Sequence, residues 1–205
     1  EELTEDAQKH SDHDFGKNLI PQMFKKGKKV YAYNFSALKS EGECHLDRDA
    51  HYWRDIGTID GYYEANMDLL GAEPVFNLYD RNWPIRTYQE QFPPARTIHS
   101  DEEAGRVGQQ LDSLVSSGCV ISGGKVQRSV LSPNVRINSF SEVYDSILME
   151  GVDVSRYAKI KRAIIDKEVK IPRGAVIGYE LAEDKKRFTV TESGIVVVGK
   201  GTEIK

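Results

Sequence analysis

Cysteine is scarce in this chain: Cys44 and Cys119 are the whole supply in 205 residues. They lie far apart in the chain with no metal-type spacing, and read as two reduced thiols of a cytosolic protein. Long apolar runs are also missing. Nothing approaches the roughly 20 residues of a membrane span, and no signal peptide is expected from the residues given. The chain opens Glu1-Glu2-Leu3 with no initiator Met, so it is expected to begin in the middle of a protein. There is no excess of positive charge: 28 Lys and Arg against 32 Asp and Glu leave −4, which argues against a general nucleic-acid binder. No glycine-rich phosphate loop follows a strand anywhere before Gly118. The histidines are His10, His13, His45, His51 and His99, and none falls between Leu114 and Ile177. What remains is ordinary for a globular chain of one or two domains, with 39% hydrophobic and 29% charged residues.

Against that plain background one regularity stands out. From Leu114 to Ile177 the sequence repeats every 17 residues. Val126, Val143, Ile160 and Ile177 form one column. Leu131, Leu148 and Ile165 form a second, and Val120, Ile137, Val154 and Ile171 a third. Small residues keep the same step: Gly124, Ser141, Ala158 and Ala175, then Ser129, Ser146 and Ala163. Fixed periods mean stacked units, each burying a face against the next. A period of 17 is too short for a helical pair and fits three short strands joined by tight corners. The spacing therefore predicts a parallel β-helix of hexapeptide-like turns, with aliphatics pointing into a prism and small residues at its corners.

The rest of the chain is less regular. His13 and Asp14 stand close enough for metal binding, although loop residues of this kind are usually solvated. Lys17 to Lys26 fits a short helix, with Pro21 in its first turn and Gly27 as its stop. Lys29 to Leu38 reads as a strand and Ser40 to Ala50 as a charged loop. Thr58 is a candidate N-cap, followed by Ile59, Tyr62, Tyr63, Asn66, Leu69 and Leu70 at helical spacing and by Gly71 as the stop. Asp55 thus falls just before a helix N-terminus. It is either a turn aspartate capping local amides or a carboxylate holding a metal beside a sugar phosphate. Pro74 to Tyr79 suggests a strand. Thr97 to Gln110, after Pro93-Pro94, looks like an exposed arm. The domains expected are 1–94, a linker 95–112, and the β-helix 113–205. After Gly178 come a charged excursion over Glu180–Arg187 and two strands, Phe188–Thr191 and Ile195–Val198, the second paired and buried.

Several stretches together carry a resemblance. They are His13-Asp14-Phe15-Gly16-Lys17, Tyr52-Trp53-Arg54-Asp55-Ile56-Gly57-Thr58, Glu64-Ala65-Asn66-Met67-Asp68-Leu69, Trp83-Pro84-Ile85-Arg86-Thr87-Tyr88, and Arg187-Phe188 with Glu192-Ser193-Gly194-Ile195-Val196. In these motifs, in order along essentially the whole chain, the sequence resembles the bacterial glucose-1-phosphate adenylyltransferases (ADP-glucose pyrophosphorylases). The resemblance implies an α/β plus β architecture: the C-terminal end of a Rossmann-like nucleotidyltransferase domain followed by a left-handed parallel β-helix. The family's glycine-rich nucleotide loop, catalytic arginine, first metal-binding aspartate and Glu-Lys sugar-phosphate motif have no counterpart here. The chain is therefore expected to be about the C-terminal half of a subunit, inactive by itself, with the N-terminal half either absent or present as another chain.

Carried over position by position, the resemblance implies a glucose 1-phosphate pocket of Asp14, Phe15, Trp53 and Asp55. Asp55 would also be the catalytic ligand of Mg²⁺, an ion that takes oxygen ligands and is usually held by one or two carboxylates plus substrate phosphates. Trp53 offers a flat face to a pyranose, and Asp14 accepts hydrogen bonds from sugar hydroxyls. The implied reaction moves the adenylyl group of ATP onto glucose 1-phosphate in bacterial glycogen synthesis, in a cytoplasmic homotetramer. Phosphorylated metabolites would regulate it at an effector site of Lys167 and Lys200, assisted by Arg187. From Lys125 to Arg173 the repeat carries ten Lys or Arg and six Asp or Glu, which is either a solvated outer face or part of that anion site. Two other classes compete with this reading. A hexapeptide-repeat acyltransferase commonly uses a histidine on a coil face, and the repeat has none. A non-catalytic scaffold or regulatory β-helix is the reading that remains if the isolated chain turns nothing over.

Overall fold

The computed structural model describes residues 1–33, 52–81 and 84–204. The loop expected over Ser40–Ala50 lies outside the described residues, as do Cys44, His45, His51, Asn82 and Trp83. The chain divides into two compact units, residues 1–51 and 52–205.

In the second unit the repeat folds as the period requires. Three parallel sheets form the faces of a prism. The first stacks Arg96–Ile98, Val120–Ser122, Arg136–Ile137, Asp153–Val154 and Lys170–Ile171. The second stacks Gln109–Leu111, Lys125–Gln127, Glu142–Tyr144, Lys159–Lys161 and Val176–Ile177. The third stacks Leu114–Val115, Val130–Leu131, Ile147–Leu148, Ala163–Ile165 and Val196–Val198, with Thr189–Val190 added antiparallel at its edge. Each strand is two or three residues long, so every coil exposes backbone that only its neighbours can satisfy. Stacking supplies those hydrogen bonds and buries the columns in one step.

Two of the expected columns pair in register and are fully buried: Val126–Val143–Ile160–Ile177 and Leu131–Leu148–Ile165. The third needs a correction at its first rung. Ile121, not Val120, pairs with Ile137 and points inward. The corner between Ile121 and Val126 has one residue fewer than the corner between Ile137 and Val143, so counting back 17 from Ile137 lands one place early.

The corners themselves form columns of left-handed backbone. Gly123, Phe140, Tyr157 and Gly174 make one; Arg128, Asp145 and Arg162 a second; Gly118, Asn134, Gly151 and Glu168 a third. Turning the chain through a prism corner demands positive φ, which glycine takes freely and other residues take at a cost. Part of that cost is offset by stacking along the column: Phe140 and Tyr157 lie 5.0 Å apart and nearly parallel, and the Arg173 guanidinium sits 4.9 Å from the Tyr157 ring centroid.

The small column at the second corner does more than avoid a clash. The Ser129 Oγ accepts from the Ser146 backbone N–H, and the Ser146 Oγ accepts from the Ala163 N–H, both at 3.1 Å. Each hydroxyl donates in turn to its own coil, Ser129 to the Gln127 carbonyl and Ser146 to the Tyr144 carbonyl. Both serines are fully buried, so this ladder satisfies amides that no strand partner reaches.

Three expected elements differ. The stretch 95–112, expected as a linker, contributes Arg96–Ile98 and Gln109–Leu111 to two faces, with a short hairpin of Ser100–Asp101 and Arg106–Val107 between them. Its strands lie at the edge of the stack and are mostly exposed, which is why its composition reads as polar. Pro74–Tyr79 is irregular rather than a strand: Val75 and Tyr79 are exposed and meet no partner strand among the described residues. Lys29–Tyr33 is likewise irregular, and the remainder of that expected strand is outside the described residues.

Helix α1, Ile59–Asp68, is capped as expected: the Thr58 Oγ1 accepts from the Gly61 N–H at 3.0 Å. It docks on the third face. Tyr63 buries its ring with Ile147, Ile164 and Ile195 and donates its hydroxyl to the Asp145 carbonyl at 2.6 Å. The charged excursion forms helix α2, Leu181–Arg187. Phe188, Val190 and Ile204 then pack against the last buried rungs, covering core that the end of the stack would leave open. Gly178 marks where the regular coil stops. A Cβ there would lie 1.7 Å from the Lys161 carbonyl oxygen, so no other residue fits that turn.

Candidate functional site

The four residues expected at the sugar-phosphate pocket fall in different units. Asp14 and Phe15 belong to the first. A short π-helical turn, Phe15–Leu19, precedes the helix Ile20–Lys25, which carries Pro21 in its first turn. Asp14 is extended and caps the turn, its Oδ1 accepting from the Lys17 N–H at 2.7 Å. The preceding residue, His13, has φ +55. Its ring does not meet Asp14 but pairs with Asp6, Nδ1 to Oδ2 2.9 Å. That hydrogen bond holds the Asp6 carboxyl below its ordinary value. Phe15 is 63% exposed, a ring presented to solvent at the entrance of a fixed turn.

Trp53 and Asp55 belong to the second unit, in an irregular segment held at both ends. Tyr52 stacks on Phe76 at 5.3 Å, and Arg54 forms an ion pair with Asp68 on helix α1. Between these anchors Trp53 is 83% exposed. The Asp55 Oδ1 accepts from the Gly57 N–H at 2.8 Å, so Asp55 does cap a local amide. Its Oδ2 makes no hydrogen bond to a described residue, and the side chain is exposed. Close approach of the helix fixes this segment: a Cβ at Gly61 would lie 2.5 Å from the Asp55 carbonyl oxygen. Ile56 and Thr58 share an apolar groove of about 370 Å³ with Met149, Ile164 and Val197 of the prism. The loop bearing Asp55 is thus seated on the β-helix through helix α1. Among the described residues no group of three or more His, Cys, Asp or Glu is placed to hold a metal. What the structure offers a Mg²⁺ ion is a single exposed carboxylate, oriented by one amide and with one oxygen to spare. That fits an ion whose other ligands are substrate phosphates and water.

The expected effector residues divide into two groups. Lys167 and Lys200 converge on Asp166, whose Oδ1 accepts from the Lys167 N–H at 2.7 Å and whose Oδ2 accepts from the Lys200 N–H at 3.0 Å. These two amides hold the Asp166 carboxyl below its ordinary value. The Lys200 Nζ lies 2.8 Å from the Glu168 Oε2. Arg187 has other partners: it pairs with Asp184 at 2.8 Å, donates to the Val176 carbonyl at 3.1 Å, and covers the Phe188 ring. Asp184 is only 1% exposed and also accepts from the Gly178 N–H. Arg187 therefore neutralises a buried carboxylate that ties helix α2 to the turn ending the coil.

Two family models match the sequence. "Nucleotidyl transferase" covers residues 1–71, and "GlmU-like, C-terminal hexapeptide" covers residues 93–198. The chain belongs to the GlmU-like hexapeptide family. Its fold class is the one expected, the end of a nucleotidyltransferase domain followed by a left-handed parallel β-helix. Among individual relatives, the glucose-1-phosphate adenylyltransferase of Anaeromyxobacter sp. (strain Fw109-5) is 48% identical over all of this chain and 49% of its own length. That of Koribacter versatilis is 51% identical over 96% of this chain and 45% of its own length. That of Rhodopirellula baltica is 50% identical over all of this chain and 45% of its own length. The resemblance read from the motifs thus holds along essentially the whole of this chain, which spans about half the length of the curated relatives it matches.

Sequence reasoning missed the acidic partners of the basic residues. The Arg187–Asp184 pair was legible, since the two stand three apart on a helix. The meeting of Asp166 with Lys200 was not. The coil between Ile165 and Val198, which pair directly, is lengthened by helix α2 and the Thr189–Val190 strand, and the 17-residue count fails there. The basic character of the repeat is also more balanced than its composition suggests. On the second face Glu142 sits between Lys125 and Lys159, and on the first Asp153 pairs with Lys170. Opposite charges on adjacent rungs describe a solvated outer face.

Proposed function

We propose that this chain forms part of a glucose-1-phosphate adenylyltransferase, which transfers the adenylyl group of ATP to glucose 1-phosphate and releases pyrophosphate. The observation that carries the reading is identity of 48–51% with enzymes of that name over essentially the whole chain. Residues 1–94 supply the sugar-phosphate side of the catalytic domain and the β-helix the remainder. The nucleotide side is assigned to the part of the relatives' length that this chain does not span. Asp14 and Asp55 accept hydrogen bonds from sugar hydroxyls, and Phe15 and Trp53 present flat faces to the pyranose. Asp55 turns its spare oxygen to Mg²⁺, an ion that, when bound, neutralises charge gathering on the phosphates. No residue here has to act as nucleophile, because the sugar phosphate oxygen attacks the α-phosphorus directly. Lys167 and Lys200 form an anion site for a phosphorylated effector. Arg187 serves that site indirectly, by fixing the end of the coil. The assembly is a cytoplasmic homotetramer in glycogen synthesis. The test is production of ADP-glucose and pyrophosphate from ATP and glucose 1-phosphate by the full-length protein with Mg²⁺. Absence of both products at saturating substrates, in a folded sample, would reject it and leave the scaffold reading.

A further inference from the structure

In the first unit one buried carboxylate has no part in the sugar-phosphate reading. Asp6 ends the short helix Glu2–Asp6 and is only 3% exposed. A negative charge is badly placed there twice over, because burial disfavours it and so does the C-terminal end of a helix. Two side chains offset those costs. The Ser11 Oγ lies 3.0 Å from each oxygen of Asp6, and the His13 Nδ1 lies 2.9 Å from its Oδ2. An ionised carboxylate only accepts, so Ser11 gives its one hydroxyl hydrogen to Asp6, and Nδ1 is a nitrogen of His13 that carries a proton. The Ser11 oxygen in turn accepts from the His13 backbone N–H at 3.2 Å. The hydrogen bond from His13 outweighs burial and keeps the Asp6 carboxyl below its ordinary value.

This cluster holds the residue that precedes Asp14. His13 takes φ +55, a conformation costly for a bulky L side chain and kept only where the surroundings hold it. Its ring and its amide are both engaged, the one by Asp6 and the other by Ser11. On the far side Asp14 is gripped by its own turn: its N–H donates to the Asn18 Oδ1 at 3.2 Å, and its carbonyl accepts from the Asn18 N–H at 2.9 Å. Residues 7–12 form no helix or strand, so the approach to His13 has no regular structure of its own. The helix bearing Asp6 is anchored instead, since Glu2 and Glu5 both pair with Lys26 at the end of helix Ile20–Lys25. Asp6 is thus the fixed point from which the chain is aimed into Asp14 and Phe15.

We propose that Asp6 is a positioning residue for the sugar pocket: through His13 and Ser11 it sets the backbone that presents Asp14 and Phe15 to glucose 1-phosphate. The proposal rests on the pocket reading given above. Asp6 acts through the chain and not on the ligand. Its loss therefore weakens a contact made alike in the ground state and the transition state, which raises KM and spares kcat.

The experiment is steady-state kinetics of the full-length protein with Mg²⁺, varying ATP and glucose 1-phosphate in turn, with a melting curve on every variant. Asp6→Ala should raise KM for glucose 1-phosphate about 10-fold, with kcat and KM for ATP within about 2-fold of wild type. Asparagine takes positive φ more readily than histidine. Adding His13→Asn to Asp6→Ala should therefore recover part of the lost affinity, which a cluster serving only to stabilise the fold would not do. Ser11→Ala, a smaller change, should move the same constant in the same direction and carries the test if Asp6→Ala does not fold. An unchanged KM for glucose 1-phosphate, equal shifts in all three constants, or no recovery on adding His13→Asn overturns the proposal. If Asp14→Asn raises that KM in the same series, the pocket reading then stands without Asp6. If Asp14→Asn leaves it unchanged, the pocket reading falls and this one with it.

Discussion

Ile160 and Trp53 lie in the same compact unit, yet one is completely buried and the other is 83% exposed. Ile160 is held by rungs above and below it, Val143 and Ile177, in a pattern the sequence repeats. Trp53 lies in an irregular segment fixed by single contacts: a stacked Tyr52, an ion-paired Arg54 and a capped helix. The prism spends its side chains on cohesion and leaves its outer faces to alternating charge. The segment around Trp53 and Asp55 leaves its aromatic and carboxylate groups exposed to solvent. Substitutions in the two regions should therefore separate stability from chemistry.

The largest effect on stability is expected from Ile160→Asp. It buries an unpaired charge in a column with no polar partner, at a cost of several kcal/mol, roughly 3–5. The last coils should unfold, and thermal denaturation should show a lower or split transition. An unchanged melting temperature would mean that the columns do not form the core. Ser146→Ala comes next. It strips the Ala163 N–H of its acceptor inside the prism, and leaving such a donor unpaired costs about 1–3 kcal/mol. Denaturant unfolding should move its midpoint without changing its slope. If Ser146→Ala is neutral, the serine ladder is ornamental and only residue size matters there.

Tyr63→Phe should be milder, about 1 kcal/mol, because it removes one hydrogen bond to the Asp145 carbonyl and keeps the packed ring. It also carries a pH signature. Burial raises the Tyr63 phenol above its ordinary value of 10.0. The protonated form is thus favoured in the folded state, its contribution is complete below pH 10, and it is lost as the pH rises through the folded value. Wild type should lose stability above pH 10 more steeply than Tyr63→Phe. Parallel pH profiles would contradict the docking of helix α1 through this residue.

How much of this was legible in the sequence follows from the same contrast. The columns through Ile160 and Leu148 were readable because each coil imposes the same constraint on the next. The third column was misread by one place at Val120, where a corner is shorter. The Thr58 cap was readable because capping is local, decided within three residues. The strand expected at Pro74–Tyr79 was not there, since β-branched and aromatic residues make a strand only where an edge is available to pair. Asp55 shows the limit for the site. Its spacing before a helix gave the cap, which the structure bears out with the Gly57 amide. Its assignment to a sugar phosphate and a metal came from motif resemblance alone, because an exposed carboxylate with a spare oxygen looks the same in either role. Lys200 was legible only as a charge, since its partner Glu168 is reached across an interrupted coil.

Asp55→Asn in the full-length protein tests the account most directly. Asparagine keeps an acceptor oxygen for the Gly57 N–H and removes only the charge, so the turn and the fold should persist. The measurement is steady-state turnover with ATP, glucose 1-phosphate and saturating Mg²⁺, with a melting curve on the same sample. The account predicts a melting temperature close to wild type, turnover reduced by orders of magnitude and weaker binding of glucose 1-phosphate. Wild-type kinetics in a folded Asp55→Asn protein would contradict it and return Asp55 to the role of a turn cap.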